Sequence, residues 1–129
     1  MIVDSSALIA ILRQEDDAQL FSEALMRAGI KLLAAPIYVE TCMVYCGRKG
    51  EEGLPHVDRL VRESGIEIRA FSSDAASIAV EAFFRYGKGI HRAKLNFGDC
   101  ISYAMAKIES MPLLFKGDDF RLTDVEAAI

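Results

Sequence analysis

The sequence predicts an α/β sandwich built on a mainly parallel sheet. Short apolar runs alternate with amphipathic stretches along the whole chain, and the connections between them are brief, which is the pattern of strands linked through crossover helices. Size adds a bound: 129 residues bury one sizeable core and are too few for two, so residues 1–129 are expected to form a single domain.

The elements follow in order. "MIVD" reads as a short buried strand ending at Asp4, and "SSALIAILRQ" continues at once with Ala7, Leu8, Ile11 and Leu12 at helical spacing. "EDDAQLFSEALMRAG" places acids in the first turn of a second helix, sets Leu20, Phe21, Ala24, Leu25 and Ala28 on one face and stops at Gly29. "IKLLAA" is a second strand. Pro36 opens the next helix where its missing N–H costs nothing, and "IYVETCMVYCGRK" runs to the breakers Gly50 and Gly53.

"LPHVDRLVRESG" carries a stripe of Leu54, Val57, Leu60 and Val61 and ends at Gly65; "IEIRAF" alternates as a third strand. "SSDAASIAVEAFFRYGKG" begins with a cap and ends in glycines, a helix. "IHRAKLNFG" has no period and reads as a loop, "DCISYAMAKIESM" as a helix and "PLLFKG" as a fourth strand. "DDFRLTDVEAAI" holds a short loop and a last edge strand or turn.

Composition narrows the class. Hydrophobic residues make up 52% and charged residues 26%, with both signs scattered, which fits neither a disordered nor a membrane chain. No apolar run reaches the roughly 18 residues that span a bilayer, and the N-terminus lacks the basic segment and cleavage site of a secretory signal, so a cytoplasmic location is expected. Cys42, Cys46 and Cys100 sit among apolar neighbours without paired zinc spacing; they read as small hydrophobes rather than ligands.

The chemistry lies in the acids. In open α/β sheets ligands bind beyond the carboxyl ends of the strands. Asp4 ends the first strand there, and Asp118 with Asp119 follows the fourth. Glu40 falls in the first turn of the helix opened by Pro36, and Asp99 starts a helix behind Gly98. Singly, Asp99 reads as an N-cap, Glu40 as a partner for a helix dipole, and Asp118 and Asp119 as turn residues. Together, packed acids repel one another unless a cation neutralises them. An all-oxygen set without His or thiolate suits Mg²⁺ or Mn²⁺, and such ions activate water for attack on a phosphodiester. Ser5 and Ser6 add hydroxyls at the same edge, as a helix cap or as contacts to water or phosphate.

A basic stretch leads into Asp99. Between Glu81 and Asp99 there is no acid, while Arg85, Lys88, Arg92 and Lys94 all fall there with His91 among them. Arg48, Lys49, Lys116 and Arg121 lie near the acid-bearing segments. The formal net charge of −4 becomes neutral once Asp4, Glu40, Asp99 and Asp118 are discounted, so the acidic balance does not exclude an RNA partner. His91 is read as a phosphate contact or surface residue.

Four segments, "IVDSSALIAIL", "APIYVETCMV", "LNFGDCISYAMA" and "PLLFKGDDFRLTDV", resemble the PIN domain ribonucleases, and within them the VapC toxins of toxin–antitoxin pairs. The resemblance covers nearly the whole chain. It implies a three-layer α/β/α fold with four to five strands in a mainly parallel sheet, and Mg²⁺- or Mn²⁺-dependent endoribonuclease activity on structured RNA such as tRNA or ribosomal RNA. A homodimer and inhibition by a cognate VapB-like antitoxin are implied as well. By this similarity Asp4, Glu40 and Asp99 carry over as catalytic metal ligands, with Asp118 as the fourth and Asp119 its alternative. Ser6 and Asn96 are supporting positions, and Arg48, Arg92, Lys94 and Lys116 candidate RNA contacts.

Two rivals remain. A phosphatase or receiver domain also places an Asp at a strand end, but needs a second acid close by, which "DSSA" does not supply. A PIN-like scaffold that binds RNA or a partner without cutting would commonly have lost one of the acids.

Overall fold

A computed structural model describes residues 1–129. The chain forms β1 (Ile2–Val3), α1 (Ser5–Leu12), α2 (Ala18–Arg27), β2 (Leu32–Ala34), α3 (Ala35–Lys49), a 3-10 turn (Glu51–Gly53), α4 (Leu54–Glu63), β3 (Glu67–Arg69), α5 (Ser73–Tyr86), α6 (Phe97–Glu109), β4 (Leu113–Leu114) and a second 3-10 turn (Asp119–Leu122). The four strands make one parallel sheet in the order β3-β2-β1-β4. Ile2 pairs with both Leu32 and Leu113, and Leu33 pairs with Ile68.

Strand order explains the layers. From β1 to β2 to β3 the chain steps one way across the sheet, then returns from β3 past β1 to β4. Right-handed crossovers therefore put α1 to α4 on one face and α5 with α6 on the other. The packing agrees: α1 lies against α2, α3 and α4, while α5 lies along α6. Covered on both faces, Ile2, Val3, Leu32, Leu33, Leu113 and Leu114 are fully buried, as the continuous apolar runs of a parallel sheet require. The exposed edge strand β3 is short and carries Glu67 and Arg69, which discourages pairing with other chains.

Several boundaries differ from those expected. The acids of "EDD" precede α2 instead of lying in its first turn, because the chain turns at Gln14 in the left-handed region, φ 53°. The sheet's fifth member is only a bridge from Leu113 to Ala127, closed by Leu113 N–H donating to Glu126 O and Ala128 N–H to Leu113 O. The loop read through "IHRAKLNFG" ends earlier: α6 begins at Phe97, and Gly87 bridges Leu95 so that Ala93 and Leu95 are buried while Arg92 and Lys94 face solvent. Cys100 is buried, and Cys42 and Cys46 are half-buried; all three are free thiols. No helix is long and apolar enough to cross a membrane.

Candidate active site

β1 and β4 are neighbours whose following segments leave in different directions, and such a switch point opens a crevice at the carboxyl ends of the strands. Asp4 sits there, immediately after β1, and is 3% exposed. Its extended backbone makes it the N-cap of α1, with Oδ2 accepting from Ser6 N–H at 2.9 Å and Ser6 Oγ at 2.6 Å. Ser102 Oγ, fully buried on α6, donates to Oδ1 at 2.5 Å. Three donors thus compensate the desolvation of this carboxylate. Ser6 Oγ also accepts from Lys116 N–H at 3.0 Å, which ties the segment after β4 to the same point.

Asp99 approaches from α6. Asn96 is the N-cap and Asp99 the third helical residue: Asn96 Oδ1 accepts from Asp99 N–H, and Asp99 Oδ2 accepts from Asn96 N–H, each at 2.9 Å. This is a reciprocal capping box, so the simple N-cap expected of Asp99 belongs to Asn96. The Asp99 carboxyl is nonetheless pushed up to about 6. Burial is the largest cause; the Asn96 N–H works the other way, and the charges of Asp4, Asp119 and Glu40 add to the rise.

Glu40 is the sixth residue of α3, because that helix starts at Ala35. It lies in the second turn, where a helix dipole has faded, so the dipole reading fails. Its carboxylate instead accepts from Ser5 Oγ at 2.6 Å, at Oε2, and lies against the backbone of Gly98.

The two candidates for the fourth acid differ in place. The Asp118 side chain is 95% exposed, with Oδ1 4.0 Å from Arg121 Nε. Asp119, the first residue of the second 3-10 turn, is the one whose charge acts on Asp99. Both neighbours are exposed; Asp119 joins Asp4 and Glu40 among the charges acting on Asp99, and the Asp118 side chain faces water.

As they stand, no three His, Cys, Asp or Glu side chains converge closely enough to hold one ion between them. Mg²⁺ is ordinarily held by one or two carboxylates and completes its shell with water and phosphate oxygens, so the all-oxygen donor set and its mutual repulsion still fit a hard divalent cation.

The basic residues divide. Arg92 and Lys94 are exposed on the loop leading into Asn96. Lys116 is committed elsewhere: its ammonium binds Glu15 Oε2 at 2.5 Å and Asp17 Oδ1 at 2.9 Å. Arg48 is exposed near the end of α3, eight residues and about 12 Å along the helix from Glu40, away from the acids. His91 is held by Ala93 N–H, which donates to Nδ1 at 3.1 Å, and by the Tyr86 ring. Sequence reasoning missed Gly98 and Ser102. For Ser102 the available signal was a hydroxyl three residues after Asp99, on the same helix face, inside the apolar run "ISYAMA".

Comparison with known proteins adds identity to this geometry. The PIN domain family model matches residues 1–126. The chain is 46% identical to Ribonuclease VapC of Mycolicibacterium smegmatis, over 98% of each chain. It is 44% identical to Ribonuclease VapC30 of Mycobacterium tuberculosis, over 97% of this chain and 95% of that one. Among solved structures it superposes on Mycobacterium tuberculosis VapC20, a Sarcin-Ricin loop cleaving toxin, with a TM-score of 0.79 at 14% identity, covering 96% of this chain and 95% of that one. A toxin-antitoxin complex from Klebsiella pneumoniae gives 0.68 at 22% identity, covering 92% of this chain and 88% of that one. At these identities the structural likeness is one of fold.

Proposed function

The chain belongs to the PIN domain family, and from that premise we propose that it is a metal-dependent endoribonuclease of the VapC type, the toxin of a toxin–antitoxin pair. Identities of 44% to 46% with proteins named VapC ribonucleases, over nearly full length, support the activity. Structured cellular RNA such as tRNA or ribosomal RNA is the substrate class, a VapB-like antitoxin the partner and the cytoplasm the location. A homodimer is supported by the apolar groove of about 730 Å³ between α5 and α6, where Phe84 is 68% and Phe97 82% exposed.

The observation that carries the reading is the Asp99 carboxyl, pushed up to about 6 by burial first and by the charges of Asp4, Asp119 and Glu40 after it. Such a site is electrostatically incomplete and favours a cation. Mg²⁺ or Mn²⁺ would supply an acidified water and neutralise the charge that develops on the phosphodiester. Asp4 and Asp99 would hold the ion, with Glu40 and Asp119 beside them. Ser6 and Ser102 fix the Asp4 carboxylate, and Asn96 fixes one oxygen of Asp99. Arg92 and Lys94 would meet the RNA backbone.

Cleavage of RNA by the purified protein should require added Mn²⁺ or Mg²⁺ and stop on chelation. Cleavage that persists at full rate in excess chelator would overturn the metal-dependent mechanism.

A further inference from the structure

Gly98 lies in the first turn of α6, is buried, and has ordinary helical backbone. Its φ does not call for glycine, and a helix is weakened by glycine relative to alanine. Space explains the residue. A Cβ placed on Gly98 would stand 2.3 Å from Glu40 Oε1, 2.8 Å from Cδ and 2.8 Å from Oε2. Its three nearest heavy atoms would thus all belong to the Glu40 carboxylate, lying on the bare Cα at the N-terminal end of α6. Ser5 Oγ holds the other side, donating to Oε2 at 2.6 Å.

We propose that Gly98 is a positioning residue: its missing side chain forms the seat in which the Glu40 carboxylate, fastened by Ser5, rests against the N-terminus of α6 beside Asp99. The functional part of this inference rests on the ribonuclease reading above, whereas the seat is a contact that can be measured in protein that cuts nothing. Three helices meet through it. α1 contributes Ser5, α3 Glu40 and α6 Gly98, and the positive end of α6 favours the anion lodged there. A methyl group at position 98 would push the carboxylate out of line with Asp4 and Asp99.

A double-mutant cycle tests the seat. Gly98→Ala should raise the melting temperature by roughly 2–6 °C in the Glu40→Ala background, where helix propensity alone decides, and by clearly less, or not at all, when Glu40 is present and its carboxylate must swing aside. The same sign and size in both backgrounds would overturn the contact. For the positioning role, Gly98→Ala should lower kcat on RNA on the order of a hundredfold, the usual cost of moving a group by about 1 Å, with KM little changed. Mn²⁺ binding measured by calorimetry should weaken in parallel, and adding Glu40→Ala should cause little further loss of cleavage. Unchanged kcat and Mn²⁺ affinity in folded Gly98→Ala would overturn the positioning role. Should the unmodified protein bind Mn²⁺ and cut no RNA, the ribonuclease reading falls while the thermal cycle still decides the seat.

Discussion

Two carboxylates beside α6 are treated in opposite ways. Asp124 accepts from Tyr103 Oη at 2.6 Å and Lys107 Nζ at 3.2 Å and lies 3.6 Å from Arg85 Nη1. These partners, Tyr103 first, hold its carboxyl below the ordinary value. Asp99, one turn before Tyr103, is pushed up to about 6 by burial and, less, by the charges of Asp4, Asp119 and Glu40. A carboxylate that serves structure is neutralised by the protein itself. Asp99 is left with the cost of burial and of repulsion, which on the reading proposed above is the mark of a ligand site.

The comparison can be broken most sharply at the acid site. Asp4→Asn or Asp99→Asn should lower RNA cleavage by on the order of a thousandfold, the scale of losing a group that stabilises developing charge, while circular dichroism stays native. Asn at 99 keeps an oxygen for the Asn96 N–H, so the capping box survives. Cleavage near the unmodified rate in Asp99→Asn would give Asp99 the same structural role as Asp124, and in Asp4→Asn would remove Asp4 from the proposed site.

Next in size is the choice between neighbours. Asp119→Asn should cut the rate about tenfold, whereas Asp118→Asn, altering a side chain in open water, should change it less than about twofold. The reverse ranking in a cleavage assay would return the fourth position to Asp118.

Smaller effects belong to stability. Asp124→Asn should cost about 1 kcal/mol in urea denaturation, since partly exposed ion pairs and one charged hydrogen bond are lost, with kcat retained. The pH slopes should also oppose each other. Asp99 has a raised pKa, so the metal-free folded state binds the extra proton between about pH 4 and 6, and stability falls as pH rises through that window. Asp124 has a lowered pKa, so its contribution is present above its ordinary value of 3.8 and is lost as pH falls below it. Asp99→Asn should flatten the first slope, Asp124→Asn the second, and Mn²⁺ should offset the Asp99 decline. Parallel slopes in the two variants would erase the distinction.

What was legible in the sequence follows from range. Asp4 ends a buried apolar run and stands out by local pattern, whereas Glu40 and Asp99, near helix starts, drew notice only when the acids were taken together and beside the family resemblance. The α/β alternation is local too. Contacts between distant segments were not legible: Ser102 meets Asp4 from the far end of the chain, and Lys116 spends its charge on Glu15 and Asp17 across a separation of about 100 residues. No periodicity reports such pairs. The preference for Asp118 rested on nearness to a strand end, and no local pattern reports which of the two neighbours acts on Asp99. Helix starts slipped as well, since α6 is begun by an Asn96 cap whose partner lies three residues on.

The cap that Asp4 provides for α1 has a consequence for descent. Asn at position 4 would still offer an oxygen to Ser6 N–H, and the Ser102 hydroxyl, which can accept as well as donate, would meet the amide. If Asp4 holds the ion as proposed, an inactive lineage is one nucleotide away and needs no compensating change elsewhere. Its products would fold, keep the outer surface of the active form and compete with it for any inhibitor that reads that surface.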